Sequence, residues 1–247
     1  MPPHSTAPSW QAARPCYGRH LLSWAILLLQ TCTALDWCSS SPPSSGNYSL
    51  SLNSKCILTA QVHVSNGHEL SIIGARTELT SELAVIKQEQ NADNDLHRLF
   101  WVEAGALILA FVRLTGGRVK ESYDDSLTGR RACAGGLVYV GNGVDTNNPV
   151  ALLNATRSVV FEGGRANRGG GLAAYGNEST IWMGVGSEVK GNYAFWIGGG
   201  FFLQHSSTLT TVNSVIHSNS AVKQGGGVYL RYSSTLTTFG SVIHSNS

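Results

Sequence analysis

The chain has 247 residues with 28 glycines, 17 basic and 15 acidic side chains, and a formal net charge of +2. Two of the basic residues, Arg14 and Arg19, fall in a leader-like segment that contains no acid, so the remainder is electrically balanced. That excludes a nucleic-acid-binding protein argued from charge, because no basic stripe survives.

Residues 1–34 read as a secretory signal. Arg14 and Arg19 supply the basic region, residues 21–29 a short apolar core and Cys32-Thr-Ala34 a small-residue cleavage site. The apolar core is too short to span a bilayer. The leading region is long for a signal, which leaves an uncleaved anchor or a later start codon as alternatives. Residues 35–55 are rich in Ser, Pro and Asn and read as an N-terminal cap or loop.

From residue 56 to 247 the chain reads as one repeat domain. Val62-His-Val64 followed by residues 67–72 is echoed by Phe100-Trp-Val102 followed by residues 105–109, two degenerate units with a polar insertion at 91–97. A third irregular unit runs from Gly135 through Val140 to Val159 and carries a long loop at 142–149. Loops that interrupt stacked repeats tend to fall on one face, often the binding face. Residues 123–131 and 142–149 are therefore the expected functional surface.

Regular repeats occupy 159–247. Triple glycines at 169–171, 198–200 and 225–227 are spaced by 29 and 27 residues, and Ser214-Val-Ile-His-Ser-Asn-Ser220 returns intact as 241–247. Leu172, Phe201 and Val228 follow the glycines; Thr180, Thr208 and Thr235 align; Val160, Val189, Ile216 and Ile243 form a further column. Alternation with period two marks strands with one buried face, and a period near 27 between units marks one stacked turn per repeat. The expectation is an all-β parallel β-helix of about five to six coils, with like residues above like. Asn192, Asn219 and Asn246 share a register and are predicted to hydrogen-bond along the stack; Gly198, Gly199, Gly225 and Gly226 are predicted at bends that leave no room for a Cβ. The last unit stops at Ser247 within a repeat, so the expectation is a fragment, truncated at its C-terminus, with any membrane anchor outside it.

Val189-Lys-Gly-Asn192-Tyr-Ala194 before Gly198-Gly-Gly-Phe201, and Ile216-His-Ser-Asn219-Ser-Ala221 before Gly225-Gly-Gly-Val228, resemble the repeat of chlamydial polymorphic membrane proteins. That family pairs F-x-x-N with G-G-A-[ILV]. Here Val or Ile stands for Phe and Gly for Ala, and Phe161-Glu-Gly-Gly164 has the Phe without the Asn. The resemblance covers residues 159–247. It implies a right-handed, pectin-lyase-like β-helix, a hand that the general preference of parallel connections also favours, and an extracellular, adhesive role toward glycans or surface proteins.

Three cysteines remain after a signal is removed, Cys38, Cys56 and Cys133. A Cys38–Cys56 bridge would close a cap loop and contribute ~3 kcal/mol; Cys133 is then buried or paired beyond Ser247. Asn47, Asn154 and Asn177 head glycosylation acceptor triplets. A polysaccharide lyase or hydrolase needs clustered carboxylates. After Ala151 there are only Glu162, Glu178 and Glu188, which share no column, and Asp124 and Asp125 form the only adjacent acidic pair and are weak catalytic candidates. Phosphate-loop, dinucleotide, zinc-protease and CxxC patterns are missing, so no cofactor and no metal are expected. His217 and His244 lie one period apart, as a solvent-facing ladder or, given a third ligand, a metal pair. Trp182, Trp196, Tyr193, Tyr229 and Tyr232 are candidates for sugar stacking or for packing. The sequence favours a secreted or cell-surface binding or adhesion protein. The alternatives are a polysaccharide lyase or hydrolase whose catalytic residues lie outside this fragment, and a structural coat component.

Overall fold

The computed structural model describes residue 38 and residues 42–65, 67–76, 82–88, 97–119, 132–141 and 150–247. Short strands follow one another in rounds. The first holds β1 (Gly46–Leu50) and β2 (Lys55–Leu58), the second β3 (Val62–Val64), β4 (His68–Gly74) and β5 (Ala84–Gln88), the third β6 (Phe100–Val102), β7 (Gly105–Ala110) and β8 (Val112–Thr115). The fourth adds β9 (Val138–Val140), β10 (Ala151–Arg157), β11 (Val160–Glu162) and β12 (Arg165–Arg168), and the fifth β13 (Leu172–Tyr175), β14 (Ser179–Met183), β15 (Glu188–Lys190) and β16 (Tyr193–Ile197). The sixth contains β17 (Phe201–Gln204), β18 (Thr208–Val212), β19 (Val215–His217) and β20 (Ser220–Ala221), the last β21 (Val228–Arg231), β22 (Thr235–Phe239) and β23 (Val242–His244).

These strands form four sheets. Sheet A has the order β1-β4-β7-β10-β14-β18-β22, sheet B β2-β5-β8-β11-β15-β19-β23, sheet C β3-β6-β9-β13-β17-β21 and sheet D β12-β16-β20. Each strand pairs in parallel with the one laid down a round earlier, so the chain visits the sheets in a fixed cyclic order. The result is an all-β, all-parallel fold, compatible with a solenoid.

Register explains the buried interior. Leu70, Leu107, Leu153, Ile181, Leu209 and Leu236 stack in sheet A, and Cys56, Ile86, Leu114, Phe161, Val189, Ile216 and Ile243 in sheet B. All but the last member of each column belong to one continuous core. Burying a side chain of this size is worth about 1.5–3 kcal/mol, which none of these short strands gains alone.

Two sequence expectations shift. Val160 is not in the Val189 column; Phe161 is, and Val160 pairs with Glu188. The slip has a physical origin, a bulge in β16: Ala166 pairs with Ala194 but Arg168 pairs with Ile197, so one extra residue separates this strand from the next glycines. Counting back from the glycines therefore misses by one. The segment 35–55, read as a cap or loop, contains β1, which pairs with β4 and makes sheet A seven-stranded; the expected five to six coils are one to two rounds short of the seven rungs among the described residues.

Candidate functional site

The outer face of sheet B carries two register columns. Lys55, Val85, Arg113, Val160, Glu188, Val215 and Val242 form one, and Ile57, Lys87, Thr115, Glu162, Lys190, His217 and His244 the other. Arg113 Nη1 lies 3.3 Å from Glu162 Oε1, and Lys190 Nζ lies 2.6 Å from Glu188 Oε2, so each acid is matched by a cation. Such half-exposed pairs contribute about 0–1 kcal/mol each; they set the charge pattern rather than the stability.

Immediately after the second column the backbone turns through the left-handed region at Gly116, Gly163, Gly191, Ser218 and Ser245, with φ of 73°, 67°, 61°, 55° and 51°. A Cβ placed on Gly116 or Gly191 would meet nothing within 4 Å. Glycine at these two rungs is suited by φ alone, and the missing side chains leave backbone exposed as the floor of a shallow groove. The groove has a volume of about 410 Å³ and is walled by Thr115, Glu162, Lys190 and His217. A second hollow of about 340 Å³ on the same face is bordered by Arg76, Arg113, Glu188 and Lys190. The His217 and His244 rings stack with centroids 5.3 Å apart and planes 4° from parallel. Each Nδ1 is held by the next residue's hydroxyl, Ser218 Oγ at 3.1 Å and Ser245 Oγ at 3.0 Å.

Sheet C presents a contrasting face. His63, Trp101, Tyr139, Ala173, Phe202 and Tyr229 follow one another in register on its outer side. His63 and Trp101 stack at 4.1 Å, His63 Nε2 reaches Glu103 Oε2 at 2.9 Å, and Trp101 Nε1 donates to Gly141 O at 2.9 Å. In the middle rounds Tyr139, Ala173 and Phe202 are buried with Ala134, Tyr175 and Ile197 as a second apolar cluster. Arg98 lies 4.9 Å over the Tyr139 ring and Arg168 4.8 Å over Trp196. Desolvation by burial lowers the Arg98 pKa to about 10, against the opposing influence of Tyr139 and Cys133. The middle of this face is thus packed, not open to a ligand.

The asparagine column forms a continuous chain of amides. Asn192 Nδ2 donates to Asn219 Oδ1 at 2.9 Å and Asn219 Nδ2 to Asn246 Oδ1 at 3.0 Å, while the backbone N–H groups of Asn192 and Asn219 donate to the same oxygens. Gly164 occupies the preceding rung, and its N–H donates to Asn192 Oδ1 at 2.8 Å. Serines add a parallel ladder that sequence reasoning missed: Ser187 Oγ accepts from Val159 N, and Ser241 Oγ from Ser214 N. Gly198 and Gly225 hold φ of 70° and 66°, and a Cβ on Gly199 or Gly226 would overlap the carbonyl oxygen of Gly226 or Ser247.

Cys38 and Cys56 are disulfide-bonded with Cα atoms 5.2 Å apart, which fastens residue 38 beside the core of the first round. Cys133 is buried. Asn47 and Asn177 are exposed; Asn154 is half-buried between Ile108 and Trp182 on sheet A. Trp182 and Tyr232 are exposed, whereas Trp196, Tyr193 and Tyr229 are half-buried against neighbouring side chains. Asp124 and Asp125, and the loops 123–131 and 142–149, lie outside the described residues, as do residues 1–34. Glu162 and Glu188 stand on adjacent strands but two positions out of register, each bound to a cation. Among the described residues no three His, Cys, Asp or Glu side chains group as a metal site, and no helix is long and apolar enough to cross a membrane. The groove was also missed by sequence reasoning, although its signal is present: Glu162, Lys190, His217 and His244 each directly precede a Gly or Ser of the left-handed column.

Comparison with protein-family models, with curated proteins and with solved structures gives no match.

Proposed function

We propose that the chain is a right-handed parallel β-helix, secreted or displayed at a cell surface, that binds an extracellular glycan or surface protein through the outer face of sheet B and needs no cofactor. The observation that carries this reading is the groove: a backbone floor repeated from round to round, walled by a register column of polar and charged side chains. Cations and anions side by side on this face suit a polar partner. The closed aromatic packing in the middle of sheet C leaves sheet B as the more open of the two faces. The likeness of residues 159–247 to the chlamydial repeat supports the same architecture and a surface role. The glycine-rich rungs and the amide ladder are structural parts in this reading and carry no chemistry.

The test applies the full chain to a glycan array and to cell surfaces, beside a doubly charge-reversed variant, Arg113→Glu with Lys190→Glu. Binding that the variant loses is expected. Silence in both assays overturns the proposal. Release of sugar products from a polysaccharide, abolished by Asp124→Asn or Asp125→Asn, would replace it with a carbohydrate-cleaving enzyme, and self-assembly without ligand binding would replace it with a coat component.

A further inference from the structure

Resting on the secretory part of that reading, we propose that Asn47 and Asn177 carry N-linked glycans that cover the outer face of sheet A, while Asn154 stays bare. All three Asn-x-Ser/Thr triplets of the sequence map to this sheet: Asn47 in β1, Asn154 in β10 and Asn177 in the turn that enters β14. None falls on sheet B. The donor is an oligosaccharide linked to a polyisoprenyl pyrophosphate. The side-chain Nδ2 bonds to the anomeric carbon of the first sugar, the bond from that carbon to the pyrophosphate breaks, the pyrophosphate leaves with the electron pair, and the amide releases one proton.

Sheet A gives the glycans something to cover. Its outer side shows Ile73, Val150 and Trp182 to solvent and holds a hollow of about 360 Å³ bordered by Ala106, Val150 and Leu152. Apolar groups bared together invite association, and a bulky hydrophilic glycan shields them without a partner protein. Asn47 is exposed two residues before Ser49, the register partner of Ile73. Asn177 is exposed in a turn whose Glu178 carbonyl accepts from Ala151 N at 3.1 Å, beside Val150, and Trp182 follows in the strand that this turn begins. Asn154 differs. Its register partners are Ile108 on one side and Trp182 on the other, each about 4.8 Å away along the stack, and its Oδ1 is shut off from solvent. A sugar on the same planar amide must part these two side chains. Transfer takes place on the unfolded chain, so modification at this position blocks closure of the rung, and the protein that leaves the cell carries Asn154 bare.

The test secretes the full chain from a eukaryotic cell line and reads its peptides by mass spectrometry after enzymatic release of N-linked glycans in heavy-oxygen water, which leaves a labelled aspartate at each occupied position. Label at Asn47 and Asn177 in most chains, and none at Asn154, is the expected result. Asn47→Gln with Asn177→Gln should then lose all N-linked glycan mass and self-associate more than the parent at an equal melting temperature. A secreted chain with Asn47 or Asn177 bare, or with Asn154 labelled, overturns this inference and leaves sheet B recognition standing. Occupied sites with a double variant that associates no more than the parent overturn the covering role. A chain that stays in the cytosol with all three positions unlabelled overturns this inference and the secretory part of the reading together, while binding through sheet B is decided separately by the glycan array and cell assay.

Discussion

Asn219→Ala isolates the amide ladder. The side chain makes four hydrogen bonds: its Oδ1 accepts from Asn192 N at 3.1 Å and from Asn192 Nδ2 at 2.9 Å, and its Nδ2 donates to Val189 O at 2.9 Å and to Asn246 Oδ1 at 3.0 Å. Asn192 and Asn219 are both fully buried, so the orphaned Asn192 N–H finds no water. An unsatisfied buried donor costs about 1–3 kcal/mol and each of the three further lost bonds about 1 kcal/mol, which gives about 4–6 kcal/mol in all. Asn246→Ala removes the same number of bonds, to Asn219 N, Asn219 Nδ2, Ile216 O and His244 O, but at a half-exposed position where water replaces them. Its expected cost is about 1 kcal/mol. Urea denaturation of both variants, read from midpoint and slope, makes the comparison. Equal losses, or a loss below about 1 kcal/mol for Asn219→Ala, would refute the argument that burial of a continuous amide chain stabilises these rounds.

Further outcomes follow from the same structure. Cys38→Ser, or reduction of the wild type, should cost ~3 kcal/mol for a bridge spanning 18 residues, seen as a lowered denaturation midpoint. Gly199→Ala drives a Cβ into the Gly226 carbonyl and should cost about 3 kcal/mol, whereas Gly191→Ser, with open space and the backbone already adopted by Ser218, should cost about 1 kcal/mol or less; thermal melts separate the two. Leu209→Ala should lose about 2–5 kcal/mol as a buried rung, and Leu236→Ala less because it is only partly buried.

Much of the architecture was legible because the repeat is nearly literal at its end. Ser214–Ser220 and 241–247 are identical in sequence, and the structure pairs Val215 with Val242, Ile216 with Ile243 and His217 with His244. The degenerate echo was legible too: His63 pairs with Trp101 and Leu70 with Leu107, as the alternation of apolar residues indicates. The first round was not. Gly46-Asn-Tyr-Ser-Leu50 buries only Leu50 fully, so its alternation is too weak to separate from a Ser-rich loop. Nor was the groove, since its wall changes from Thr to Glu to Lys to His along the column, and residues this unlike align only once the strand register is known. The bulge in β16 hid the register of Phe161 in the same way, by inserting one residue where the glycine count assumed none.

Hydroxyl-radical footprinting of the full chain, alone and saturated with the glycan it binds, tests the recognition face most directly. Protection of His217 and His244, with Trp182 and Tyr232 labelled as before, is the expected result. Protection of Tyr232 and Trp182 with both histidines unchanged would contradict it and move recognition off sheet B.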